Sequence, residues 1–198
     1  MSPEEASEFL RSRCSIRAYK EKSVSHDLIS NLLNVARMAI SAGNSQGISY
    51  LVIENKEILN KVKEAVIQYY EKAMQTDSSQ LGARIIVDRY RKEHKDTILW
   101  NAPCLILALS EKGRTKISRE NAIFCLTYLH LYAPTLGLGG CWAGAVENTV
   151  FDNWEPMQNA LDLGNRFNNI SGAFMIGYPK YKYQRLVSRN PLKVEWWE

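Results

Sequence analysis

Histidine is scarce in this 198-residue chain, with three residues at 26, 94 and 130, and the four cysteines at 14, 104, 125 and 141 stand singly. No Cys-x-x-Cys pair occurs, so neither a zinc site nor an iron–sulfur cluster is indicated. Gly-x-Ser-x-Gly is absent, and nothing resembles a catalytic triad, so Ser15 is not read as an activated nucleophile. No apolar run reaches the roughly 18 residues that a membrane span needs. Met1-Ser2-Pro3-Glu4-Glu5 is acidic and lacks the apolar centre of a signal peptide. The cysteines are therefore expected as free thiols in a reducing cytoplasm. A basic stripe is also missing. The net charge of +4 is spread, with Lys and Arg interleaved among Asp and Glu through 55–71 and 84–96. That pattern reads as solvated helix faces rather than as a nucleic-acid surface. The mild positive excess suits a small anionic ligand.

What is present is enough for one packed domain over residues 1–198: 45% hydrophobic and 23% charged residues. Ser2-Pro3-Glu4-Glu5 has the form of a capping box and predicts a short helix to about Arg11. Ser25 opens a second helix, whose apolar face (Leu28, Ile29, Leu32, Leu33, Ala36, Ala39, Ile40) is expected to run until Gly43 stops it. Tyr50–Ile53, Cys104–Leu109, Cys141–Val146 and Ala173–Tyr178 read as strands. Residues 56–75 and 82–99 read as helices joined by a polar linker at 76–80, and a further helix runs from Ser118 to about Leu136. Few strands separated by long helices give an α+β architecture. The rival, a doubly wound dinucleotide fold, needs its glycine turn between a strand and a helix. Gly137-Leu138-Gly139-Gly140 instead follows a helix and precedes an apolar run.

Three segments carry chemistry. Arg13, Ser15 and Arg17 alternate, so on an extended backbone they face one side and can meet a phosphate with two guanidinium groups and a hydroxyl. Ser41, Asn44 and Gln46 place hydroxyl and amide groups just past a helix, and amides both donate and accept, as the edge of a flavin ring requires. In Gly137–Gly144, five of eight residues are Gly or Ala, which lets the backbone approach a ligand closely. Taken singly, each has a plainer reading: a basic loop, ordinary helix-stop residues, and tight helix–strand packing with Trp142 in the core. Taken together they describe a flavin nucleotide site.

In order and spacing these segments resemble the FMN-dependent nitroreductase family. That family opens with Arg-x-Ser-x-Arg/Lys and follows with a helix ending in Ala-Pro-Ser-x-x-Asn-x-Gln-Pro. Later come Gly-Leu-Gly before a Trp-x-Gly turn, and Gly-Tyr-Pro before a basic tail. Here the counterparts are Arg13–Arg17, Ala39–Gly47, Gly137–Gly144, and Gly177-Tyr178-Pro179 with Arg185 and Arg189. The likeness spans about residues 10–196. Lys180-Tyr181-Lys182-Tyr183 and the Trp-containing end resemble a subgroup often joined to a ferredoxin-type domain, which this sequence does not contain.

The resemblance implies a central, mainly antiparallel sheet flanked by helices, and a homodimer that exchanges its C-terminal tails. It implies that Arg13, Cys14, Ser15 and Arg17 hold the FMN phosphate and ribityl chain, with Arg189 and Arg185 adding to that grip. Ile40, Ser41, Ala42 and Asn44 would reach the flavin ring from the neighbouring subunit, and Trp142, Ala143 and Gly144 would line it. The implied activity is ping-pong electron transfer from NAD(P)H to a nitroaromatic, quinone or related electron-poor acceptor, with no obligatory side-chain acid or base. Two alternatives stand beside it: reduction by a ferredoxin-like protein docked on the basic tail, and a flavin-binding or regulatory protein without turnover. The sequence departs from the family pattern twice. Ile40 replaces the proline after the helix alanine, and Gln46-Gly47-Ile48 replaces Gln-Pro-Trp, both where the ring edge and substrate pocket are expected.

Overall fold

The computed structural model describes residues 1–77, 79–186 and 188–197. In chain order its elements are α1 (Pro3–Ser12), α2 (His26–Ala36), β1 (Ile48–Ile53), α3 (Lys56–Thr76), α4 (Leu81–Arg91), β2 (Cys104–Ser110), α5 (Lys116–Tyr132), β3 (Gly139–Trp142), α6 (Gly144–Phe151), α7 (Glu155–Leu161) and β4 (Ile170–Gly177). The four strands form one sheet in the order β1-β2-β4-β3, and every neighbouring pair is antiparallel.

Helices cover both faces of this sheet. Because side chains alternate along a strand, Leu105, Leu107 and Leu109 of β2 join one core with Val62 and Val66 of α3 and Met157 of α7. Cys104, Ile106 and Ala108 join a second core with Leu32 of α2 and Leu126 and Leu129 of α5. Every residue of β2 and β4 is buried. These central strands therefore read as nearly continuous apolar runs, broken only by the buried Ser110 and Ser171, a pattern more usual for parallel sheets.

Local chemistry sets the helix ends. Ser2 caps α1 through a complete capping box with Glu5, and Ser25 caps α2. β1 and β4 begin earlier than the sequence expectation, at Ile48 and Ile170, and four further elements differ more. The helix from Ser25 ends at Ala36 rather than near Gly43. Tight bonds from Met38 to Val35 and from Ala39 to Ala36 close its last turn, so Ile40 leaves the apolar face and is 65% exposed. The helix expected over 82–99 stops at Arg91, because the Asp96 carboxylate accepts from the amides of Ile98, Leu99 and Asn101 and makes a turn there. In α5 the cap is Thr115, with Ser118 as the third residue of the capping box; beyond Tyr132 a tight turn over Ala133–Leu136 completes the segment. The run expected as a strand over Cys141–Val146 is strand only to Trp142. The amides of Val146 and Glu147 both donate to the Ala143 carbonyl and begin α6. Of the linker expected at 76–80, Thr76 belongs to α3 and Ser78 lies outside the described residues.

Candidate functional site

The Arg13–Arg17 segment lies against the end of the sheet. Arg13 is extended (φ −64°, ψ 122°), and the Ile16 amide donates to the Gly140 carbonyl at 2.9 Å. Further on, Tyr19 pairs with Pro179, the Lys20 amide donates to the Tyr178 carbonyl and the Lys180 amide to that of Ala18, each at 2.9 Å. Ile16 is buried and Cys14 half-buried against the core. The side chains of Arg13, Ser15 and Arg17 make no hydrogen bond or ion pair with any described residue. Arg91, Arg114 and Arg119 are all engaged by acceptors. Two guanidinium groups and a hydroxyl thus stand uncommitted on one short segment, a donor set suited to an anion.

His130 of α5 pins this segment from behind. Its Nε2 lies 3.1 Å from the Cys14 carbonyl, and its ring meets Phe174 edge-on at 4.9 Å. Burial pushes its pKa down to about 4; the Cys14 carbonyl pulls it upward, and the nearby Arg13 charge lowers it further. The ring is therefore neutral near pH 7, and Nε2 carries the proton that it donates. An unfolded histidine titrates near 6.5. Between pH 6.5 and 4 the unfolded chain takes up a proton that folded His130 refuses. Stability from this group is complete above about pH 6.5 and falls as the pH drops through that window, by about 2–3 kcal/mol. Denaturant unfolding at pH 7.5 and pH 5 is expected to show this loss in the wild type and to lose most of it in His130→Gln, whose amide can still donate to the carbonyl. An equal pH dependence in both proteins overturns the assignment.

Gly137–Gly144 forms the floor. Gly137 is left-handed (φ 69°) and closes the turn after α5, where glycine avoids the Cβ clash. Trp142 is held on three sides: Nε1 donates to Glu147 Oε2 at 2.8 Å, Phe174 packs edge-on at 6.1 Å, and the Arg119 guanidinium lies 5.4 Å from its ring. Ala143 is buried, and its amide donates to the Ala173 carbonyl. No side chain caps α6. The amides of Gly144 and Ala145 have no acceptor among the described residues, and a Cβ on Gly144 would meet nothing within 4 Å. Two free N–H groups at a helix start, beside open space, favour an electronegative ligand edge.

Ser41–Gln46 is a preformed loop. The Ala42 amide donates to Asn121 Oδ1 at 3.0 Å, the Gln46 amide to Ser41 Oγ at 3.0 Å, and Gln46 Nε2 to Asn44 Oδ1 at 3.2 Å. Asn44 and Gln46 both take φ of 51°. Its anchor, Asn121, lies nine residues before His130 on α5, about 13 Å along the helix. One chain therefore joins Arg13, Cys14, Ser15 and Arg17 to Gly140 and, through β3, to Trp142, Ala143 and Gly144. It leaves Ile40, Ser41, Ala42 and Asn44 near the other end of α5. Arg185 and Arg189 make no hydrogen bond to this segment among the described residues: both are exposed, and Arg189 donates to its neighbour Ser188. Arg17 does share a small pocket of about 110 Å³ with Tyr181 and Tyr183 of the tail. A larger cavity of about 550 Å³, lined by Cys14, Ile16, His130, Leu138 and Pro179, opens on the reverse of the segment, and none of Arg13, Ser15, Arg17 or Trp142 lines it. Sequence reasoning missed Asn121, Arg119 and Glu147 as supports of the site. No local signal marked them: 119 and 121 stand two apart on α5 and face different sides of it, and their partners are distant in sequence.

The fold and this site define a class. The sequence profile of the Nitroreductase family matches residues 10–178, and the chain belongs to that family. It is 37% identical over 180 residues to a protein of Archaeoglobus fulgidus named "Putative NADH dehydrogenase/NAD(P)H nitroreductase", covering 89% of this chain and 87% of that one. Among solved structures, a nitroreductase with bound FMN from Desulfitobacterium hafniense superposes with a TM-score of 0.77 at 18% identity, covering 98% of this chain and 100% of that one. One from Bacteroides fragilis, also with FMN bound, superposes with a TM-score of 0.72 at 21% identity, covering 96% and 95%.

Proposed function

We propose that this protein is an FMN-dependent oxidoreductase that passes electrons from NAD(P)H to a nitroaromatic, quinone or related electron-poor acceptor, with residues 1–198 acting as a single FMN-binding domain. The observation that carries this reading is the uncommitted Arg13–Ser15–Arg17 donor set, bonded through Ile16 to β3, the strand that leads to the free amides of Gly144 and Ala145. The residues fit the cofactor: paired cationic donors for a phosphate, a braced aromatic and a bare backbone edge for a ring. Arg13 and Arg17 would hold the phosphate, and the Gly144 and Ala145 amides would face the ring's polar edge. When bound, FMN supplies the hydride-accepting and electron-donating chemistry that no side chain here can provide. The protein positions the ring, excludes water and leaves one face open. A single site serving donor and acceptor in turn gives ping-pong kinetics.

Two copies complete the site. Since the Ser41–Asn44 loop and Ile40 lie away from the phosphate donors of their own chain, the second protomer brings them to the ring. Large apolar side chains support this pairing. Ile117, Phe124 and Tyr128 of α5 are exposed at helical spacing, as are Met38 and Ile40 nearby. Tyr181, Tyr183, Leu186, Leu192, Trp196 and Trp197 leave the tail apolar and uncovered. The outer edge of β1 is also open, and a strand edge favours a cover. A tail exchanged between protomers meets these needs, and it brings Arg185 and Arg189 toward a phosphate.

The purified protein is expected to be yellow, with bands near about 370 and 450 nm that belong to the cofactor, to sediment as a dimer, and to bleach anaerobically with NADH or NADPH. A colourless monomer that ignores added FMN overturns the reading. A yellow dimer that neither nicotinamide bleaches removes the donor from it. A protein donor is then favoured, because Lys20, Lys180 and Lys182 are exposed and make no ion pair with a described residue.

A further inference from the structure

Behind the floor of the site lies a buried charge cluster that the proposed chemistry does not use directly. Glu147 is 4% exposed and its carboxylate accepts four hydrogen bonds. Arg119 donates to both oxygens at 2.8 Å, Trp142 Nε1 donates to Oε2 at 2.8 Å, and the Ala173 amide donates to Oε1 at 2.8 Å. Arg119 also donates to the Ser171 carbonyl at 2.9 Å and packs against the Phe151 ring at 4.9 Å. One carboxylate thus ties α5, β3, the start of α6 and the middle of β4 to one point. Trp142, which the carboxylate holds, and Ala143, whose carbonyl accepts the Glu147 amide, lead directly into the free amides of Gly144 and Ala145.

We infer that Glu147 is a positioning residue, which with Arg119 clamps the Trp142–Gly144 turn so that its ring and amides hold one fixed relation to the flavin, and which balances the Arg119 charge behind that flavin. This rests on the function proposed above. A neutral hydrophobic pair could brace the strand equally well, since buried ion pairs gain little over well-packed apolar groups. The arrangement adds direction: the four bonds to the carboxylate come from three elements, two from Arg119 of α5 and one each from Trp142 of β3 and Ala173 of β4. It also adds electrostatic balance. A reduced flavin gains negative charge, so an unbalanced cation near it favours reduction.

The test uses the FMN-loaded Glu147→Gln variant. FMN affinity is expected to stay within about threefold of wild type, since the phosphate donors lie elsewhere. The flavin midpoint potential should rise, the visible bands should shift, and kcat should fall about tenfold with KM changing less. In the flavin-free protein, the Trp142 indole N–H, followed by NMR hydrogen exchange, should exchange at least tenfold faster than in wild type. If Glu147→Gln does not fold, the paired variant Arg119→Met/Glu147→Leu removes both charges together and is expected to show the same loss of indole protection. A folded variant of either kind with wild-type indole exchange overturns the clamp, and an unmoved potential and spectrum in loaded Glu147→Gln overturn its influence on the flavin. Failure of the wild type to bind FMN sinks the cofactor reading alone, because the indole measurement needs no flavin.

Discussion

Arg13→Ala is expected to leave the protein folded and to weaken FMN binding by about 2–4 kcal/mol, the usual loss when one partner of a close charge pair is truncated. The fold should be indifferent because the Arg13 side chain has no hydrogen-bond partner among the described residues, and it follows the last turn of α1 rather than packing in it. Ligand binding should not be indifferent. An arginine meeting a phosphate gives paired, charge-assisted bonds, and its removal leaves phosphate oxygens without donors. Fluorescence titration of the flavin-free protein reads the affinity, and thermal unfolding without flavin reads the fold. A second readout comes from His130, whose pKa the Arg13 charge helps to depress. In Arg13→Ala that pKa should move upward from about 4, and the pH-dependent loss of stability should narrow. Unchanged FMN affinity would falsify the phosphate assignment. A lost fold would mean that the segment is structural rather than a binding element.

How much of this was legible in the sequence follows from the range of each interaction. The start of α1 was legible because Ser2 and Glu5 satisfy each other's amides within a single turn. The strand β2 was legible because it is buried on both faces and so is apolar from Cys104 to Leu109. The Arg13–Arg17 donor set was legible because extended alternation is itself local. Signals failed where a side chain overrode local preference. Asp96 captures three amides and turns the chain inside a stretch of helical composition. They failed again where a local rule goes unmet. No capping residue precedes Gly144, so nothing marked the start of α6, and the apolar run continued on paper as strand. The supports of the site were invisible for a different reason. Glu147 finds Arg119 across 28 residues, and Asn121 finds Ala42 across 79; only the folded chain brings such pairs together.

Two glycines, Gly140 inside β3 and Gly144 at the start of α6, should separate fold from ligand. In Gly140→Ala the new Cβ would overlap the Phe174 ring and lie 2.7 Å from the Met175 carbonyl oxygen. Phe174 cannot swing aside: it is fully buried, and the rings of His130 and Trp142 meet it edge-on. The carbonyl belongs to β4, which pairs with the whole of β3 over Phe174–Gly177. Strand separation is the remaining relief, and overpacking of this kind costs about 1–3 kcal/mol or more. Because Gly140 accepts the Ile16 amide, the same movement carries the phosphate segment away, so FMN binding should weaken along with stability. Gly144→Ala makes the opposite case. Its Cβ meets no protein atom within 4 Å, and alanine is favoured over glycine in a helix, so the flavin-free protein should be as stable as wild type or slightly more so. Under the proposed function that open volume receives the flavin ring, and a methyl group there should weaken FMN binding by at least tenfold. Denaturant unfolding without FMN and flavin titration, run on both variants, separate the two effects. If Gly144→Ala binds FMN as tightly as wild type, the ring does not lie over the start of α6, whatever Gly140→Ala does to the sheet.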